Sequence, residues 1–118
     1  MSFSKTKLGV HGETLAINFL RKKGYLILQR NYRSPFGEID IIAKFKNRLV
    51  FLEVKYRTSS EYGEPYEAVN YRKVAKLKRL IAYYLEVEKQ DLEPLFEVVS
   101  IIEENGKVTI DHFEDILF

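Results

Sequence analysis

The segment EIDIIAKFKNRLVFLEVKYR, Glu38 to Arg57, constrains this chain more than any other. It holds two largely apolar runs separated only by Lys46-Asn47. Side chains on a strand alternate between faces with period two, so a short turn leaves few registers open. With Lys46 and Asn47 as the turn, Phe45 lies opposite Arg48 and opposed residues have numbers summing to 93. Ile39 then meets Val54, Ile41 meets Leu52 and Ala43 meets Val50, which makes one face wholly apolar. The other face pairs Glu38 with Lys55, Asp40 with Glu53 and Ile42 with Phe51. A slip of one residue would scramble both faces, so the apolar pattern itself supports this register.

Around this hairpin the chain reads as one domain with no internal repeat and no linker. Leu8, Gly12, Leu15, Ala16, Phe19 and Leu20 gather on one side of a helix from Lys7 to Lys23, with Gly24 at its C-cap. Tyr25 to Tyr32 reads as a strand, RSPFG as a turn, and Glu38–Phe45 and Leu49–Arg57 as the hairpin strands. A loop from Thr58 to Pro65 leads to a helix over Val69–Glu88, whose stripe is Val74, Leu77, Ile81 and Leu85, helped by Leu80 and Tyr84. Leu95–Ile102 and Lys107–His112 are strands joined by Asn105-Gly106, a strong hairpin signal. The order is α-β-β-β-α-β-β, an α/β arrangement of helices flanking a central mixed sheet.

The hairpin register sets two carboxylates, Asp40 and Glu53, opposite each other with Cβ atoms about 5 Å apart. Repulsion between them is roughly 4 kcal/mol at an effective dielectric of 20 and 4 Å. Solvent, protonation or a bound cation would relieve it. Hard cations such as Mg²⁺ take carboxylate oxygens and keep several waters, and so activate water beside a phosphate. Lys55 lies on the same face, two residues from Glu53, where it can stabilise charge in a transition state. The bland reading is an acid-lysine pair on an exposed strand, a common arrangement. Ile42 and Phe51 argue against it, because they suggest that the acidic face is partly covered. Glu13, at the edge of the first helix's apolar face, is a fourth candidate; alone it reads as a surface glutamate.

Composition removes several other classes. Cysteine is absent, which excludes disulfides and thiolate metal sites. No apolar run reaches the roughly 20 residues that span a bilayer, and MSFSKTKLGVHGE lacks the apolar stretch of a secretory signal. A cytoplasmic protein with no membrane partner is the expectation. There is no phosphate-binding glycine loop, no H-E-x-x-H and no G-x-S-x-G. The two histidines, His11 and His112, are far apart in sequence, and His112 reads as a surface or hairpin residue. The net charge of +2 is small, yet Arg72, Lys73, Lys76, Lys78 and Arg79 form a run without an acid.

Several short motifs occur together in order: GETLA at Gly12–Ala16, Gly24-Tyr25, RNYR, GEIDIIA, FLEVKYR and G-x-P-x-E-A-V at Gly63–Val69. In combination they resemble the YraN family, a bacterial family assigned to the PD-(D/E)xK nuclease superfamily. The resemblance runs from about Gly9 to Leu85 and more weakly to the end. It implies a single nuclease-like domain over residues 1–118 with a restriction-endonuclease-like core, similar to Holliday-junction resolvases. By the same resemblance Asp40 and Glu53 match the two catalytic acids, Lys55 the lysine of E-x-K, and Glu13 the helix glutamate that completes the metal site. The Val54 carbonyl would be a further metal ligand. Two positions depart from the pattern: Ile39 replaces the proline before the first acid, and Glu97 stands where Asp is expected.

The leading expectation is therefore a Mg²⁺- or Mn²⁺-dependent endonuclease acting on DNA, with branched or structured DNA as the substrate class. Lys73, Lys76 and Arg79 recur at i, i+3 and i+6 on a side opposite Leu77 and Ile81, and with Arg72 they suit phosphate contacts. Lys44 and Arg57 flank the site and suit the same role, while Tyr56, Tyr62 and Tyr66 fit either packing or base stacking. The alternative is a non-catalytic nucleic-acid-binding module that keeps the fold. A homodimer follows by analogy with junction resolvases.

Overall fold

The computed structural model describes residues 7–59 and 71–116. The G-x-P-x-E-A-V motif, Tyr62, Tyr66 and most of the expected loop lie outside the described residues. The elements are α1 (Lys7–Lys22), β1 (Leu26–Ser34), β2 (Gly37–Phe45), β3 (Arg48–Arg57), α2 (Tyr71–Val87), β4 (Glu93–Glu104) and β5 (Lys107–Ile116). Their order is the expected α-β-β-β-α-β-β.

The strands form one sheet in the order β1-β2-β3-β4-β5. All neighbours are antiparallel except β3 and β4, which run parallel and are linked through α2. A parallel pair needs such a crossover, so α2 lies on one face of the sheet. Period-two alternation divides the core. Ile41, Ala43, Val50, Leu52, Val99 and Ile101 pack with Ala16, Ile17 and Leu20 of α1. Ile42, Leu49, Phe51, Phe96 and Val98 pack on the other face with Leu80, Ile81 and Tyr84 of α2. Phe51 is fully buried there, worth about 1.5–3 kcal/mol by burial alone. This mixed sheet between two helices is consistent with a restriction-endonuclease-like core.

Local chemistry accounts for the element ends. Lys46 and Asn47 both have positive φ, 49° and 64°, the signature of a type I′ hairpin turn. Helix α1 stops in a Schellman motif: Tyr25 N–H donates to Leu20 O and Gly24 N–H to Arg21 O, with Gly24 at φ 97°. Helix α2 stops the same way, with Gln90 N–H donating to Leu85 O and Lys89 N–H to Glu86 O, but here a lysine holds the left-handed position at φ 52°. Gly12 is a packing glycine. A Cβ there would lie 2.5 Å from Tyr56 Cβ, so α1 can cross β3 at this point only because the side chain is missing.

The predicted register holds for five pairs, from Phe45↔Arg48 to Ile41↔Leu52. Beyond Ile41 the regular ladder ends, so the expected pairs Asp40–Glu53, Ile39–Val54 and Glu38–Lys55 do not form as rungs. Ile39 packs with Ile42 in the α2-side core rather than with Ile41. On the neighbouring strand Asn31, opposite Asp40 in the β1–β2 register, has φ 53°. Alternation breaks where both strands leave regular geometry. Among the described residues no helix is long and apolar enough to cross a membrane.

Candidate active site

The end of the β2–β3 ladder creates the site. Just past the last rung, Asp40 Oδ2 accepts the Val54 N–H at 2.8 Å, so a side chain serves as acceptor beyond the regular backbone pairing. Asp40 is thus held by β3 and does not simply face Glu53 across a rung. Both acids line a cavity of about 270 Å³ between the sheet and α2. Ile39, Leu77, Leu80 and Phe96 form its apolar wall, and Lys73 and Lys76 bring positive charge.

Glu53 is the pivot of this cavity. Its side chain is only 18% exposed, and Oε1 meets Lys73 Nζ at 2.7 Å and Lys55 Nζ at 3.3 Å. Oε2 is buried and has no hydrogen-bond partner among the described residues. Lys55 reaches Glu53 because residues two apart on a strand share a face. Lys73 reaches it from the first turn of α2. The pair Lys73–Glu53 joins elements 20 residues apart, and the sequence carries no signal for it beyond the basic run.

Other sequence-derived candidates fall in different places. Glu13 is 1% exposed, which overturns the surface reading, and its Oε1 accepts from Arg30 Nε at 3.1 Å and Asn31 Nδ2 at 3.0 Å. It does not line the cavity, and among the described residues no three His, Asp or Glu side chains are close enough to share an ion. Val54 enters through its N–H. Lys44 is exposed, four residues along β2 from Asp40 and so about 13 Å away, and it does not line the cavity. Arg57, half-buried, lies as far from Glu53 along β3. Arg72 and Arg79 are exposed on α2 outside the cavity wall. Lys73 and Lys76 share that wall with Leu77 and Leu80, at i, i+3, i+4 and i+7, so they are not opposite Leu77 as periodicity alone suggested. Tyr56 is a packing residue, its ring against His11 and its hydroxyl donating to Glu103 at 2.8 Å.

A second polar centre was missed. His112 is buried, not a surface residue, with its ring edge-on to Phe19 and beside Tyr25. Lys23 Nζ donates to its Nδ1 at 2.8 Å, which leaves Nε2–H to donate to Glu97 Oε1, also 2.8 Å. Tyr25 Oη donates to the same oxygen at 2.8 Å, and Asp115 N–H to Oε2 at 3.2 Å. Burial alone would push the Glu97 carboxyl up, but the bonds from His112 and Tyr25 outweigh it and hold it below the ordinary value. Tyr25 is correspondingly raised, first by burial and then by its bond to Glu97. The family-pattern departure at Glu97 was the one available signal.

Both the fold and the acidic hairpin now bear on relationship. The model of the uncharacterised protein family UPF0102 matches residues 12–101. The chain belongs to that family. A UPF0102 protein of Thermodesulfovibrio yellowstonii is 47% identical over 115 residues, covering 98% of this chain and 99% of its own. Others are a UPF0102 protein of Syntrophomonas wolfei, 44% identical over 90% of this chain and 93% of its own, and one of Alkaliphilus oremlandii, 42% identical over 92% and 96%. UPF0102 is the family that the sequence motifs resemble under the name YraN, so the resemblance and the family match agree.

Proposed function

We propose that this protein is a divalent-metal-dependent endonuclease that hydrolyses phosphodiester bonds in DNA. Asp40 and Glu53 are the metal-holding acids and Lys55 the catalytic lysine. The observation that carries this reading is Glu53 Oε2, a carboxylate oxygen buried in a cavity with no hydrogen-bond partner among the described residues. Such an oxygen costs about 1–3 kcal/mol or more to leave unmet, and a cation would offset that cost. The donor set fits a hard cation: two carboxylates, with the Val54 carbonyl as the third ligand that the resemblance implies. Mg²⁺ or Mn²⁺ suits so few protein ligands because it keeps several waters. Glu13 lies outside this cavity, with Oε1 held by Arg30 and Asn31 and Oε2 also buried, so this ligand set does not include it.

Bound there, the ion would supply a nucleophilic water and offset charge on the phosphate. The protein's own part is positional. The Val54 N–H fixes Asp40, so its carboxylate need not reorganise to receive the ion. Lys55 keeps an ammonium beside Glu53, where charge builds on the phosphate oxygens. Lys76 at the cavity and Arg72 and Arg79 along α2 would hold neighbouring phosphates without reading bases.

The test is cleavage of duplex, single-stranded and four-way-junction DNA with and without Mn²⁺, using wild type, Asp40→Ala, Glu53→Ala and Lys55→Ala. Metal-dependent cutting that all three substitutions abolish is expected. Equal activity in the variants would refute the site. The second reading, a binding module without catalysis, draws on the fact that no three His, Asp or Glu side chains among the described residues are grouped to hold an ion. It predicts salt-sensitive binding, no cutting, and indifference to Asp40→Ala.

A further inference from the structure

Resting on the metal-site reading, we propose that Lys73 is an exchangeable cation. It neutralises Glu53 while the site holds no metal, and it transfers to a substrate phosphate when a divalent ion takes that carboxylate. Glu53 Oε1 is shared by two ammonium groups, at 2.7 Å from Lys73 and 3.3 Å from Lys55. A divalent ion held by Asp40 and Glu53 would compete with both ammonium groups for the Glu53 carboxylate. Glu38 also lines the cavity but is paired with Arg33 at 2.8 Å, so Asp40 and Glu53 are left to balance a divalent ion and two lysines, and the closest cation must give way.

Lys73 is that cation. Lys55 projects from the middle of the sheet and is 24% exposed, whereas Lys73 stands on the first turns of α2 and is 37% exposed. Its ammonium is a strongly hydrated point charge with rotatable donors on a flexible stem, suited to exchange one oxygen anion for another. Lys76, one turn further on, lines the same cavity and makes no ion pair with Glu53. A phosphate at the cavity mouth would thus find Lys73 released only after the metal has bound. Metal and phosphate must then each strengthen the other's binding, since such coupling is reciprocal.

The experiment is Mn²⁺ titration by calorimetry, with and without an uncleavable phosphorothioate oligonucleotide, on wild type, Lys73→Met, Lys73→Arg and Lys76→Met. Without DNA, Lys73→Met should bind Mn²⁺ about fivefold tighter than wild type, because a partly exposed competing ion pair is gone. Lys73→Arg should stay near wild type, and Lys76→Met should change less than about twofold, since it removes the same charge but no contact. The oligonucleotide should tighten Mn²⁺ binding in wild type and lose that effect in Lys73→Met. No gain in Lys73→Met, or an equal gain in Lys76→Met, would overturn the exchange while leaving the metal site intact. Failure of wild type to bind Mn²⁺ would overturn the metal-site reading and the exchange together.

Discussion

Removing the Glu97 carboxylate should be among the most damaging single changes in this protein, and its cost should depend on pH. Glu97 is 3% exposed and accepts three hydrogen bonds, from Tyr25 Oη, His112 Nε2 and Asp115 N. Each donor left unmet in a buried site costs about 1–3 kcal/mol, and because the three share one network their costs overlap. Glu97→Ala should therefore lose about 4 kcal/mol of unfolding free energy. Glu97→Gln keeps the shape and one acceptor oxygen, and should lose about 2 kcal/mol at neutral pH. The native carboxyl titrates below its ordinary value, so below about pH 4.3 the unfolded chain binds a proton that the native state does not. Wild-type stability from this group is thus full above that pH and is lost as pH falls through the native value. Urea unfolding of wild type and Glu97→Gln between pH 7 and pH 3 measures it directly. The gap between them should close by no more than about 1.4 kcal/mol per pH unit on the acid side. A gap that stays constant across that range, or a loss below about 1 kcal/mol for Glu97→Ala, would refute the assigned network.

Gly12→Ala should lower stability by about 1–3 kcal/mol in thermal or urea unfolding, although alanine is the better helix former, because the added Cβ meets Tyr56 Cβ at 2.5 Å. Lys89→Gly should raise stability by roughly 0.5–1 kcal/mol, since it relieves a left-handed lysine at the α2 Schellman cap. Asp40→Asn should leave stability within about 1 kcal/mol of wild type, because the amide oxygen can still accept the Val54 N–H, while any Mn²⁺-induced rise in Tm disappears. On the alkaline side, Tyr25 keeps its proton in the native state beyond the ordinary tyrosine value. Its contribution should be full below about pH 10 and fall as pH rises further, and Tyr25→Phe should remove that part of the decline.

Much of the fold was legible because it rests on local rules. Hydrophobic period placed both helices, and Gly24 marked the end of α1 where its left-handed geometry was needed. The Lys46-Asn47 turn placed five rungs of the central hairpin in their observed register. The site was legible in part: Asp40, Glu53 and Lys55 do share one end of that hairpin. Their actual geometry was not, because the ladder stops at Ile41 and Leu52 and the Asp40 side chain takes the Val54 N–H. Extending the alternation past that point put Ile39 on the wrong face and Asp40 on a rung that does not exist.

Local sequence is enough to place the helices and strands and to set two acids and a lysine together on the hairpin. Near neighbours, side-chain period and turn stereochemistry are enough for that. What meets Glu53 from outside the hairpin follows from the way the elements pack. Lys73 arrives because the β3–β4 parallel crossover lays α2 across that face of the sheet. Likewise only packing buried Glu97 with Tyr25 and His112, residues 72 and 15 positions away in the chain. No local propensity encodes such meetings, since they form when sheet order and helix placement bring distant segments into contact. Beside the acids and lysine of the hairpin, Glu53 thus meets Lys73 of α2, whereas Glu13 of α1 lies outside that cavity with Arg30 and Asn31.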